Sequence, residues 1–124
     1  MSPPLPPLIS ALLDPARYPH PATTVDLVET HASWLLLAGG FAYKIKKPLR
    51  LPFLDYGTLE RRRVCCEAEL RLNRRFAPQL YLAVLPIAGE PGDPRIGGTG
   101  EATEYAVQMR RFAEGGRLDR LCAR

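Results

Sequence analysis

The sequence predicts an α+β domain of five strands and one prominent helix, and three observations carry that prediction. Two strand-like runs flank Gly39-Gly40, the composition of a tight hairpin. A long helical segment from Leu59 to Phe76 opens behind a capping residue, Thr58, and is closed by Pro78. The order along the chain is three strands, the helix and two more strands.

The elements follow in turn. Residues 1 to 7 form a Pro-rich lead-in, Leu8 to Leu13 a short helix ended by Pro15, and Tyr18 to Ala22 a loop with two more prolines. Thr24 to Thr30 is rich in β-branched residues and reads as a strand. Ser33 to Ala38 and Phe41 to Lys47 are the hairpin arms, the second stopped by Pro48. A loop leads to Thr58 and the helix, whose first turn carries Glu60, favourable at a helix N-terminus. Its apolar stripe is expected from Cys65, Leu72 and Phe76. Tyr81 to Ile87 alternates as a strand, 88–103 reads as a Gly/Pro-rich loop, and Glu104 to Phe112 as the fifth strand. Gly115-Gly116 breaks that strand, and Leu118 to Arg124 begins another helix.

Composition narrows the function. The chain has 124 residues, enough for one domain at most. Hydrophobic residues make up 46% and charged residues 24%, which sets disorder aside. Lys and Arg number 17 against 13 Asp and Glu, an excess that favours an anionic partner weakly. Cys65, Cys66 and Cys122 have neither a disulfide framework nor metal-ligand spacing, which points to reduced thiols in the cytoplasm and to no metal site. The uncharged stretch from Ala32 to Tyr43 is broken by glycines and too short for a bilayer, and the N-terminus lacks the basic start of a signal peptide, so no membrane partner is expected.

Two features point to chemistry. In the strand Phe41 to Lys47, Ala42, Lys44 and Lys46 share one face and Tyr43 and Ile45 the other. A small Ala beside a Lys leaves room for something flat and anionic; a half-exposed edge with two solvated lysines is the plainer alternative. On the helix, Glu67 has Arg63 and Arg71 at i−4 and i+4, while no cation stands at i±3 or i±4 from Glu69. A carboxylate left against a core costs several kcal/mol. Lys44 is its natural partner, and a strand lysine paired with a helix glutamate is how protein kinases hold ATP phosphates.

Five blocks then carry a resemblance: Glu29-Thr30-His31-Ala32-Ser33-Trp34, Phe41-Ala42-Tyr43-Lys44-Ile45-Lys46-Lys47-Pro48, Phe53-Leu54-Asp55-Tyr56-Gly57-Thr58-Leu59-Glu60, Cys66-Glu67-Ala68-Glu69-Leu70-Arg71-Leu72-Asn73-Arg74-Arg75 and Glu104-Tyr105-Ala106-Val107-Gln108-Met109-Arg110-Arg111-Phe112. Over roughly residues 8 to 124 the chain resembles the N-terminal part of bacterial aminoglycoside phosphotransferase-like proteins, of the bifunctional aminoglycoside phosphotransferase/ATP-binding protein family. The resemblance implies a protein-kinase-like small lobe, a five-stranded antiparallel sheet with one prominent helix, that binds ATP. Ala42 would roof the adenine and Lys44 reach the phosphates, with Lys46 as the fallback. Glu69 would be the helix glutamate, with Glu67 second. The turn holding His31 and Ser33 would approach phosphate through backbone N–H groups and the serine hydroxyl, though it has no G-x-G-x-x-G. Met109 to Phe112, with Arg111, would be the linker along the adenine edge.

A phosphotransferase also needs a base-positioning Asp, and an Asn and Asp for magnesium. The sequence's one Asn is Asn73, inside the helix, and none of Asp14, Asp26, Asp55, Asp93 and Asp119 has an Asn five positions on. Asp55-Tyr56-Gly57 imitates D-F-G but precedes the helix. The expected organisation is therefore a lead-in over 1–22, the small lobe over 23–114, and at 115–124 a linker and the start of a truncated large lobe. No catalytic residue is expected in this chain, and magnesium enters only when the missing lobe is supplied. A separate large lobe or self-association is the expected protein contact. Two other readings stand beside this one: a non-enzymatic interaction module, and a nucleic-acid binder using Arg61, Arg62, Arg63, Arg71, Arg74 and Arg75. The second is disfavoured because Glu60, Glu67 and Glu69 interrupt the basic helix.

Overall fold

The computed structural model describes residues 5–48, 50–51, 54–90 and 92–111. A short helix α1 (Pro7–Ala11) and a 3₁₀ turn (Pro15–Arg17) precede the strands β1 (Val25–Glu29), β2 (Ser33–Ala38) and β3 (Phe41–Lys46). The strands β4 (Arg50–Leu51) and β5 (Leu54–Asp55) lead to the helix α2 (Leu59–Arg74), followed by β6 (Tyr81–Ala88), β7 (Arg95–Ile96) and β8 (Ala102–Arg110).

The main sheet is antiparallel and curled, in the order β1-β2-β3-β8-β6-β7, with β4 and β5 paired apart from it. This corrects the expectation of a kinase-like small lobe with five strands and one prominent helix. The sixth strand, β7, lies in the stretch read as an uninterrupted loop. Two residues are too few to show an alternation, yet Ile96 pairs with Ile87 and Arg95 with Ala88. Gly97 N–H then donates to the Pro86 carbonyl at 2.8 Å and fastens the return. Bulges in β6, between Tyr81 and Ala83 and between Ile87 and Ala88, add to the curl.

The hairpin β2–β3 turns at Gly39, which has φ +60°, as its composition predicts. Strand alternation then divides the core in two. On one face Tyr43 and Ile45 pack with Trp34, Leu36, Ala106 and two residues of the N-terminal segment, Ile9 and Leu12. The stretch expected as a lead-in thus supplies fully buried core side chains, and Arg17 ties it to Asp93 beside β7. The other face buries Leu35, Ala42, Val107 and Met109 with Cys66 of α2.

α2 is capped as expected: the Thr58 hydroxyl accepts from Arg61 N–H at 3.1 Å. Its packing face differs from the expected stripe. Cys66 is the helix's fully buried residue, whereas Leu72 and Phe76 face solvent. The side turned to the sheet carries Arg62, Cys66 and Glu69, spaced four and three apart, because the sheet offers Glu104, Lys44 and Lys46 as partners there. No helix among the described residues is long and apolar enough to cross a membrane.

Candidate functional site

Strand alternation and register assemble the site. Ala42, Lys44 and Lys46 of β3 pair with Leu37, Leu35 and Ser33 of β2. Across the other edge of β3, Ala42 pairs with Met109 and Lys44 with Val107 of β8. Directly opposed residues share a sheet face, so Ser33, Ala42, Lys44, Lys46 and Met109 lie on the side that α2 covers in part.

Glu69 reaches down from α2 between the two lysines. Its Oε1 accepts from Lys46 Nζ at 2.6 Å and its Oε2 from Lys44 Nζ at 3.2 Å. The lysines differ in access. The Lys46 side chain is 3% exposed and the Lys44 side chain 22%. Lys46 is further engaged by the Tyr56 hydroxyl at 3.4 Å, with the Tyr56 ring centroid 4.9 Å away. Burial alone would push the Lys46 ammonium down, but the Glu69 carboxylate outweighs it and holds the lysine above its ordinary value. Burial pushes Glu69 up, and the two lysines outweigh that and hold it below the usual carboxylate range.

A second buried pair stands beside the first. Arg62 Nε donates to both oxygens of Glu104, at 3.0 and 3.1 Å, and Arg62 Nη1 donates to the Tyr56 carbonyl at 2.8 Å. Burial raises the Glu104 carboxyl despite Arg62. Desolvation likewise pushes the Cys66 thiol up to about 12, which makes it an unreactive packing group. Three cations and two carboxylates leave one positive charge over, and Lys44 is the most exposed of the three cations.

The other sequence-predicted residues are placed less directly. Ser33 is buried opposite Lys46, but its N–H already donates to Thr30 Oγ1 at 3.0 Å, so the backbone group expected to meet phosphate is committed. His31 is exposed in the β1–β2 turn. Met109 lies inside β8 and is 1% exposed, in a strand where a linker was expected. Arg111 follows the strand: its N–H donates to the Gly40 carbonyl at 2.8 Å and its guanidinium lies 3.9 Å from Asp26. Glu67 pairs with Arg63 at 2.9 Å on the exposed side of α2, away from the lysines. The proposed linker's end at Phe112, the segment 115–124, Cys122 and Asp119 lie outside the described residues.

Sequence reasoning missed Tyr56, Arg62 and Glu104. One signal was present: Arg62 is seven residues before Glu69 with Cys66 between them, a spacing that places all three on one helix face. Glu104, on the eighth strand, carries no local mark of its partner.

No family profile matches the sequence, and no solved structure matches it. Over 102 residues the chain is 38% identical to uncharacterized proteins of Mycobacterium bovis and of two strains of Mycobacterium tuberculosis. The alignment takes in 80% of this chain and 19% of each relative, so the chain spans about a fifth of the length of the curated relatives it matches.

Proposed function

We propose that the face bearing Ala42, Lys44 and Lys46 binds the phosphates of a nucleotide, ATP, and that it contributes this binding to a longer phosphotransferase. The observation that carries the reading is the unequal lysine pair around Glu69. Lys46 is buried and orients the carboxylate, Glu69 holds Lys44 in place, and Lys44 brings the surplus charge to the accessible side. A positioned, partly exposed ammonium suits a phosphate, whereas Ala42 and Met109, expected beside the base, are packed in the core with Cys66 and offer it no open surface. The resemblance to aminoglycoside phosphotransferase-like proteins supports the same ligand. Phosphoryl transfer, its magnesium and its acceptor belong to the longer protein in this reading, and no residue of this chain is assigned to catalysis.

The test is calorimetric titration of the chain with ATP, alongside the Lys44→Ala variant. Binding is expected in the parent chain and a loss of about tenfold or more in the variant, with both folded at the titration temperature. Equal affinity in the two proteins sinks the assignment of Lys44. Tighter, salt-dependent binding to a generic DNA duplex, with ATP failing to compete, replaces it with the nucleic-acid reading.

A further inference from the structure

α2 is amphipathic in the inverted sense. Its sheet side carries Arg62, Glu69 and Cys66, and its solvent side carries a ridge of Val64, Ala68 and Leu72 at four-residue spacing, continued by Phe76 in the turn just past its end. Val64 is 48%, Leu72 57% and Phe76 81% exposed. Single exposed apolar residues are ordinary on a protein surface, but an aligned row along one helix is the pattern of a docking face.

The surface beside the ridge is concave. A groove of about 590 Å³ runs between α2 and β6, lined by Leu70, Arg71, Arg74, Leu82, Val84 and, at its rim, Glu67, which Arg63 already neutralises. A smaller one of about 310 Å³ is lined by Ala68, Arg71, Leu72 and Arg75. A ridge with flanking grooves is the relief into which the side chains of another helix interdigitate. A fluid lipid surface requires no such relief.

Charge selects among helices. Arg71, Arg74 and Arg75 line or border the grooves, and among the described residues none of them has a carboxylate within ion-pair distance. The helix has no carboxylate to spare for a second copy of itself: Glu60 and Glu67 are held by Arg63, and Glu69 is committed to the lysines. Two copies face to face would set arginines against arginines.

We propose that the outer face of α2 docks an amphipathic helix of a partner protein, one whose apolar stripe is bordered by carboxylates. The ridge supplies the apolar contact, and Arg71, Arg74 and Arg75 meet the acidic border. This surface is separate from the lysine face, and the proposal does not depend on nucleotide binding.

The experiment uses two fluorescent helical peptides as long as α2 with the same leucine stripe, one carrying Glu and the other Lys at the remaining positions. Fluorescence anisotropy against the full chain should favour the Glu peptide by about tenfold or more. Phe76→Asp and Leu72→Asp should each weaken it by about tenfold. Reversal of Arg71, Arg74 and Arg75 to Glu should transfer the preference to the Lys peptide. All these positions face solvent, so melting temperatures should stay close to the parent's, and Lys44→Ala should bind the Glu peptide normally. Equal binding of the two peptides, or binding indifferent to Phe76→Asp, overturns the proposal. So does a dimer in sedimentation that Phe76→Asp disperses, which would make the occupant a second copy. Phosphatidylglycerol vesicles bound more tightly than the Glu peptide would make it a lipid surface and also overturn it.

Discussion

Glu69 sits between two lysines that do different work, and their unequal burial predicts unequal consequences when the cluster is cut. Glu69→Gln leaves the Lys46 ammonium, 3% exposed, without its counter-ion, and loss of one partner from a buried pair costs about 3–5 kcal/mol. Lys44→Gln leaves Glu69 still paired with Lys46, and for a partly exposed pair the loss should be about 1 kcal/mol or less. Urea denaturation of the two variants at neutral pH checks that ordering. The acid limb provides an independent check. Glu69 is held below the ordinary carboxylate range, so its contribution is present above the unfolded value of about 4.3 and lost as pH falls through the lower folded value. Glu104 acts in the opposite direction: its raised carboxyl makes stability decline as pH rises from the unfolded value through the folded one. Glu69→Gln should therefore remove the destabilisation on acidification that belongs to Glu69 and leave the opposing trend of Glu104. Lys46, held above its ordinary value, contributes fully below about 10.4, and that contribution disappears as pH rises through its folded value.

At the scale of elements, the β2–β3 hairpin and α2 show what local signals specify. Gly39 has φ +60°, and a Cβ there would approach the Pro21 carbonyl oxygen at 2.8 Å. Its neighbour Gly40 has open space around the corresponding position. Gly39→Ala should cost about 1–2 kcal/mol, and Gly40→Ala should change stability by about 0.5 kcal/mol or less; thermal melts of the pair distinguish backbone strain from a general loss of glycine. The hairpin was legible because Gly39 has a backbone reason for its position. The start of α2 was legible because Thr58 caps it. The orientation of α2 was not. Periodicity finds an apolar stripe, here Cys65, Leu72 and Phe76, but which side meets the sheet depends on what the sheet presents. With Lys44, Lys46 and Glu104 beneath it, the helix lays down Glu69 and Arg62, since burying those charges unpaired would cost more than exposing Leu72 and Phe76.

For the whole molecule, the order of strands sets the distribution of stability. β3 lies between β2 and β8 and is covered on both faces, by α1 and its neighbours on one and α2 on the other. β7 is a two-residue edge, and among the described residues β4 and β5 pair only with each other. Amide hydrogen exchange should be slowest in β2, β3 and β8 and markedly faster in β7. Equally slow exchange in β7 would show that the sheet opens as one cooperative unit. The same topology places the candidate site at the middle of the sheet, so the lysines are carried by its most constrained strand.

Strands β1, β2, β3, β6 and β8, the short first helix and the start of α2 followed from alternation, capping and glycine placement, because those signals act within a few residues. That Glu69 must find a cation away from its own helix was legible by elimination, since no Lys or Arg stands three or four residues from it. The tertiary structure decided the rest: β8 between β3 and β6, the small strand β7 that makes the sheet six-stranded, the division of labour between Lys44 and Lys46, and the pairing of Arg62 with Glu104. The physical reason is separation along the chain. Lys44 and Glu69 are 25 residues apart and Arg62 and Glu104 are 42. Only the folded sheet brings such groups into contact, and the cost of burying a charge without a partner then determines which of them pair.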